Sequence, residues 1–199
     1  MKKAERTRAT LVASAGRNFR RAGYAGVGVD SIAEEAGVTS GAFYAHLKSK
    51  DGAFQSALLA GLRDVLTALP KFREDFSADW PEAFADYYLG EAHRADIENG
   101  CAMAGLSPDV VRAAPDIQQE YTDLMQKIAE EVAKGIPEPL TEIEKQQKAW
   151  SFLTSLIGAL IVARATGSAP IAARIAEASK AAALVAFRSG SSDASWRHD

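Results

Sequence analysis

Apolar residues recur along this chain at helical spacing almost throughout. Leu11, Ala15 and Phe19 repeat every four residues with Val12 and Ala22 beside them, which predicts a helix over 4–22 that Gly23 stops. Ile32, Ala33 and Ala36 share one face of a short helix over 30–36. Gly37 then stands where the chain must turn, a place where positive φ is cheap only for Gly. Thr39 or Ser40 is placed to cap a second short helix, on which Phe43 and Leu47 share a face while Tyr44 and His46 point elsewhere. Ser49 then caps a long helix from Lys50 to Leu69, with Ala53, Phe54, Ala57, Leu58, Leu62, Val65 and Leu69 as its stripe. Gly52 in its first turn costs up to about 1 kcal/mol against Ala, and Pro70 is expected to end the helix.

The rest follows the same period. Lys71 to Asp79 reads as a polar and aromatic loop, and Trp80-Pro81 opens a helix carrying Phe84, Tyr87, Tyr88 and Ala92. Asn99-Gly100 is a turn, Cys101 to Leu106 a short apolar stretch, and Ser107-Pro108-Asp109 a restart. Ile117, Tyr121, Leu124, Met125, Ile128 and Val132 make one face of a helix over 117–133. A second long helix over 141–165 is charged early and uncharged from Ala149 to Ala163. A last, Ala-rich helix runs over 171–187, and the small, polar tail 189–199 is expected to be disordered. No repeat and no strand emerges. The fold class is all-α, with about nine helices.

At 199 residues the chain can bury about 70% of its unfolded surface without a disulfide or a metal. The single Cys excludes a disulfide framework and suits a reducing compartment, taken as the cytoplasm. No apolar stretch follows the basic N-terminus, so no signal peptide is expected. The uncharged run from Ala149 is shorter than the roughly 20 residues a membrane span needs, so no membrane partner is expected. The net charge of −3 conceals a division, because residues 1–50 hold nine Lys and Arg against four Asp and Glu. A basic head on an acidic body fits a nucleic-acid-binding module joined to a domain that stays off DNA.

The two short helices with their tight turn have the pattern of a helix-turn-helix, whose second helix enters the DNA major groove. Phe19 to Tyr24 (FRRAGY), Ile32 to Val38 (IAEEAGV), Ser40 to Leu47 (SGAFYAHL) and Ser49-Lys50 together resemble the tetracycline-repressor-like (TetR-type) transcriptional regulators. The likeness spans about the first 60 residues. One departure is Gly26-Val27-Gly28, where such chains commonly place Thr or Ser to cap the next helix and touch a phosphate. The resemblance implies that Tyr44, His46 and Lys50 hold phosphates and that Thr39, Ser40, Gly41, Ala42 and Tyr44 face base edges, with small Gly41 and Ala42 letting the helix sit deep. It further implies an N-terminal three-helix DNA-binding domain over 1–50 and a ligand-binding and dimerisation domain over 51–188. The implied protein is a homodimeric repressor that a small molecule releases from a palindromic operator.

For the dimer interface, Phe152, Leu156, Leu160, Ile175 and Leu184 on the last two helices are the candidates. For a ligand pocket they are Phe84, Tyr87, Tyr88, Met103, Leu106, Tyr121, Met125, Trp150 and Leu153, although residue by residue each is also what any helical core contains. Cys101 reads as a buried small residue rather than a sensor. His93 with Glu91 or Asp96 offers too few ligands for a metal, so neither metal nor cofactor is expected. No G-x-S-x-G is present, and the chain is not read as an enzyme. The competing reading is a helical small-molecule-binding or enzymatic protein whose head only scaffolds it.

Overall fold

The structure is a computed structural model that describes residues 3–137 and 139–188. The expected tail lies outside the described residues. Those residues hold eleven α-helices: α1 Lys3–Ala22, α2 Val29–Glu35, α3 Ser40–Leu47, α4 Lys50–Phe76, α5 Trp80–Leu89, α6 Glu91–Ala95, α7 Ala102–Gly105, α8 Ser107–Val110, α9 Pro115–Ala133, α10 Glu142–Ala165 and α11 Ala169–Arg188. By packing, the chain divides into two compact units, one holding the chain up to Thr67 with Ala92–Met125, the other Ala68–Glu91 and the chain from Gln126 on. This division follows contacts, whereas the boundary expected at residue 50 is one of function.

In the first unit the every-fourth-residue stripe of α1 does what its spacing predicts. Leu11, Ala15 and Phe19 are fully buried together with Ile32, Phe43, Phe54, Leu58 and Leu62. Phe19 stacks on Tyr24 at 5.8 Å and meets Phe54 edge-on at 5.4 Å, so the residue after the α1 stop folds back onto the core. Two buried polar residues then fix α2. Ser14 donates its hydroxyl to the Ile32 carbonyl at 2.9 Å, and Asn18 donates to the Glu35 carboxylate at 2.7 Å. Arg17 pairs with the same carboxylate at 2.6 Å. The later segment of this unit joins through Asp109, which accepts the Tyr24 N–H at 2.8 Å, and through Arg21, paired with Glu98 at 3.0 Å.

The second unit is built on aromatic packing. Trp80, Phe84, Phe152 and Phe187 are all buried, with Trp80 edge-on to Phe187 at 5.4 Å and Phe152 against Phe187 at 5.1 Å. Gly135 lies so close to the Trp80 indole that a Cβ there would come within 2.6 Å of it. On the outside, Lys180 pairs with Asp86, and hydrogen bonding to that carboxylate raises the Lys180 pKa against the opposing effect of burial. A reciprocal capping box between Thr141 and Glu144 starts α10.

Two expectations fail here. Pro70 does not end α4, and 71–76 is helix rather than loop, followed by a 3-10 turn at Ser77–Asp79. A proline inside a helix removes one hydrogen bond, but packing beyond it restores the path. Phe72 is edge-on to Phe84 at 5.3 Å, and the Arg73 guanidinium donates to the Glu131 carbonyl at 2.7 Å and pairs with its carboxylate. The helix opened by Trp80 stops at Leu89, because Gly90 adopts an extended ψ of 155° and α6 starts afresh.

Candidate nucleic-acid interface

The turn that sets α3 is made by local chemistry. Gly37 has φ +67°, the left-handed region that costs other residues most. The N–H groups of Gly37 and Val38 bond back to Glu34 and Ala33 at 2.9 Å each. Thr39 caps α3, its hydroxyl accepting the Ala42 N–H at 3.2 Å. Ser40 donates to the Asp30 carboxylate at 2.6 Å, tying the front of α3 to the front of α2. Phe43 and Leu47 are buried against α1 and α2, as their spacing requires.

The other side of α3 is open. Thr39 and Gly41 are exposed, Ala42 and His46 half-buried, and Tyr44 is 52% exposed while its ring rests edge-on against Phe43 at 5.3 Å. A Cβ on Gly41 would meet only the Thr39 hydroxyl, at 3.7 Å, so the front of this helix is free of bulk. Lys50 lies at the start of α4, its ammonium 4.4 Å above the Tyr24 ring. Of the seven DNA-binding candidates, Thr39 and Ser40 thus carry structural bonds as well, and Lys50 is held by an aromatic face.

Lys48 was missed. It is exposed, has φ +69°, and hangs at the end of α3 with its ammonium donating to the Ala45 carbonyl at 3.2 Å. Its place in the "HLKSK" run was visible, but only its unusual backbone turns it out beside α3. At the front of α2, Gly28 makes no side-chain cap, consistent with the departure noted in the sequence.

The joint between α3 and α4 is tight. Ser49 accepts the Gly52 N–H at 3.0 Å, and a Cβ at Gly52 would come within 2.3 Å of the Leu47 carbonyl oxygen. The glycine that looks costly for a helix is the residue that lets the recognition helix end so close to α4. Beneath the joint, Tyr24 donates its hydroxyl to Asp51. That hydrogen bond, with burial and the carboxylate's charge behind it, pushes the phenol up to about 12.

Residues 11–57 match the model of the bacterial regulatory proteins, tetR family. That segment is a tetR-type DNA-binding domain. The matched segment is the N-terminal helix-turn-helix of a DNA-binding transcriptional regulator. The fold agrees along nearly the whole chain. A TetR-family regulator from Agrobacterium tumefaciens superposes with a TM-score of 0.74 at 14% identity, over 90% of this chain and 98% of that one. One from Chloroflexus aurantiacus gives 0.73 at 20%, over 94% and 98%. The reduced form of Escherichia coli NemR gives 0.74 at 16%, over 94% and 99%. No curated protein matches the sequence.

The candidate pocket residues fall into both units. Met103, Leu106 and Met125 are buried in the first, where Tyr121 shares a 2.8 Å hydrogen bond with Ser107. Phe84, Tyr88 and Leu153 are buried in the second, Trp150 is half-buried there, and Tyr87 is exposed. His93 accepts the Cys101 N–H at 3.2 Å.

The dimer candidates sort differently from the sequence expectation. Phe152, Leu156 and Leu160 are at most 1% exposed, so they serve the chain's own core. Leu184 is nearly covered and Ile175 half-covered. The outward face of α10 is instead Ser151, Thr154, Ser155, Gly158, Ile161, Val162 and Ala165, a helical stripe without charge. The corresponding stripe on α11 is Ile171, Ala178, Ala181, Ala182 and Val185, with the exposed Arg174 among them. By length and mean hydropathy α10 would also suffice to cross a membrane, but its inner face is packed against α5 and α11.

Proposed function

We propose that this chain is a repressor that binds a palindromic operator as a homodimer and that a small molecule releases it. The observation that carries the reading is the uncharged outward stripe of α10 beside the largely apolar one of α11, whose single charge is Arg174. Ile161, Val162, Ile171 and Val185 are each at least 40% exposed, on two helices packed side by side. An apolar face of that kind supports self-association. An isologous pair presents two recognition helices related by a two-fold axis, matching a palindrome with half-sites one helical turn apart.

Within each head, Thr39, Gly41, Ala42 and Tyr44 read base edges, and Tyr44, His46, Lys48 and Lys50 hold phosphates. Ser40 positions α3 through Asp30. The effector site draws on the apolar candidates of the second unit, Phe84, Tyr88, Trp150 and Leu153. Release is a population shift: the effector binds the arrangement that does not fit the operator more tightly than the one that does. A cytoplasmic location follows from this reading.

The test is selection of genomic fragments by the purified protein, run beside a Tyr44→Ala/Lys50→Ala variant. Enrichment of one palindrome by the parent alone is the expected result. Enrichment of single half-sites, or equal enrichment by the variant, overturns the reading. Affinity should also fall steeply with salt, because neutralised phosphates release counterions.

A further inference from the structure

A cleft of about 760 Å³ opens between α1 and α4, wholly within the first unit. That is the size of a small-molecule site. Its lining is rich in small residues, Ala9, Ala13 and Gly16 from α1 and Ala57, Ala60 and Gly61 from α4, with Val12 and Leu59 beside them. Arg8, Arg17, Arg20 and Arg63 line it, against the carboxylates of Asp64 and Glu120. Arg17 is committed to Glu35, and Glu120 is engaged by Gln55 at 3.1 Å. Arg8 and Arg63 enter none of the ion pairs found among the described residues. Arg8 spends one N–H on the Ser56 hydroxyl at 3.2 Å and keeps the rest of its fork.

Arg20 is the independent sign that the cleft is built. Three glycines on three helices lie against it, although Gly61 also faces Ala102, whose Cβ an added side chain would meet at 2.6 Å. A Cβ at Gly16 would stand 3.0 Å from its Nη1, one at Gly61 2.8 Å from its Nη2, and one at Gly105 3.1 Å from its Cγ. Its Nη1 donates to the Glu98 carbonyl at 3.3 Å, which fixes the plane of the guanidinium. The Arg20 guanidinium thus lies in the wall of the cleft, against glycines from three helices.

We infer that the cleft between α1 and α4 is a binding site for a small organic anion bearing two or more carboxylate or phosphate oxygens, held by Arg8, Arg20 and Arg63. Guanidinium forks bind both groups bidentately. The small and aliphatic side chains of the lining leave room for the compact body of such a ligand. The site is separate from the recognition surface of α3, and its readout is binding alone, so it stands or falls independently of the operator.

The experiment is calorimetric titration of the full chain with inorganic phosphate and, separately, with citrate, at matched ionic strength. The variants are Arg8→Gln and Arg63→Gln, both at the solvent side, with Arg174→Gln on α11 as the charge-matched control. Thermal unfolding without anion checks that each variant is folded. One saturable site is expected, weakened at least about tenfold by Arg8→Gln and by Arg63→Gln and unchanged by Arg174→Gln. Binding of phosphate only, or of citrate only, supports the site and tells which oxygens it takes. The inference is overturned by no saturable binding of either anion, by equal binding in all variants, or by equal loss in the Arg174→Gln control. It is overturned too if the two cleft variants lose DNA affinity and keep anion binding, since the arginines would then serve backbone phosphates.

Discussion

α3 and α10 both present an outward face, and the two faces are built on opposite terms. α3 is eight residues long, and its outward side carries specific chemistry: a cap at Thr39 just before it, an absent side chain at Gly41, a phenol at Tyr44. α10 is 24 residues long and carries no charge from Ala149 to Ala163 on any side. A short helix with one apolar pair can bury only that pair, so its remaining surface is assigned by default. A long helix that is apolar all round can turn either stripe inward. What selects the inner one is bulk. Phe152, Leu153, Leu156 and Leu160 fill the aromatic core of α5 and α11, and the smaller Ser151, Thr154, Gly158 and Ala165 are left outside with Ile161 and Val162.

The largest effect should separate the two stripes of α10. Phe152→Ala removes a fully buried ring that touches Trp80, Phe84 and Phe187, and is expected to lower unfolding free energy by about 3–5 kcal/mol. Urea denaturation followed by helical circular dichroism measures it. Ile161→Lys, on the outer stripe, should leave protomer stability within about 0.5 kcal/mol and weaken self-association at least about 100-fold, since an unpaired charge would be buried between copies. Sedimentation equilibrium reads the second quantity. If Ile161→Lys unfolds the protein and Phe152→Ala only dissociates it, the inward and outward assignments are exchanged.

The same difference explains what could be read from residue order. The head was readable because its elements are fixed by neighbours in sequence: Gly37 for the turn, Thr39 for the cap, Phe43 and Leu47 for the buried side. The helices of the body were readable too, from their four-residue spacing. The faces of α10 were not, because periodicity cannot choose between two apolar stripes. Pro70 misled for a related reason. A local helix breaker is overruled where Phe72 and Arg73 gain partners from α5 and α9 that lie far away in sequence. Arg20 and its three glycines were invisible for the same cause, since Gly16, Gly61 and Gly105 meet only in the folded chain.

At the α3–α4 joint, two substitutions test whether local chemistry governs the head as it does not govern α10. Gly52→Ala improves intrinsic helix propensity by about 1 kcal/mol, yet the added Cβ would stand 2.3 Å from the Leu47 carbonyl oxygen. The backbone must shift, and a net loss of about 1–3 kcal/mol is expected, with weaker DNA binding because the end of α3 moves. A gain in thermal stability would show that the joint is slack. Thr39→Ala removes the cap and should cost about 1 kcal/mol, whereas Thr39→Ser keeps an acceptor and should retain most of it. Equal losses from Ala and Ser would mean that the threonine methyl, not the hydroxyl, matters.

The smallest effect at neutral pH concerns Tyr24, whose phenol is held up to about 12 by its hydrogen bond to Asp51, with burial and the carboxylate's charge adding to it. A raised folded-state pKa means that the folded chain holds this proton more tightly than the unfolded one, where tyrosine titrates near 10. The contribution to stability is therefore complete below about pH 10 and is lost as pH rises from there towards 12. The ultraviolet difference spectrum of phenolate should show one of the five tyrosines ionising about two units late. Asp51→Asn removes the charge and should bring that transition back towards the others, while the Lys50 ammonium over the same ring stays in place. An unchanged late transition in Asp51→Asn would assign the shift to burial beneath Phe19 and Phe54. The joint between head and α4 would then be held by packing, as α10 is, and not by the hydrogen bond.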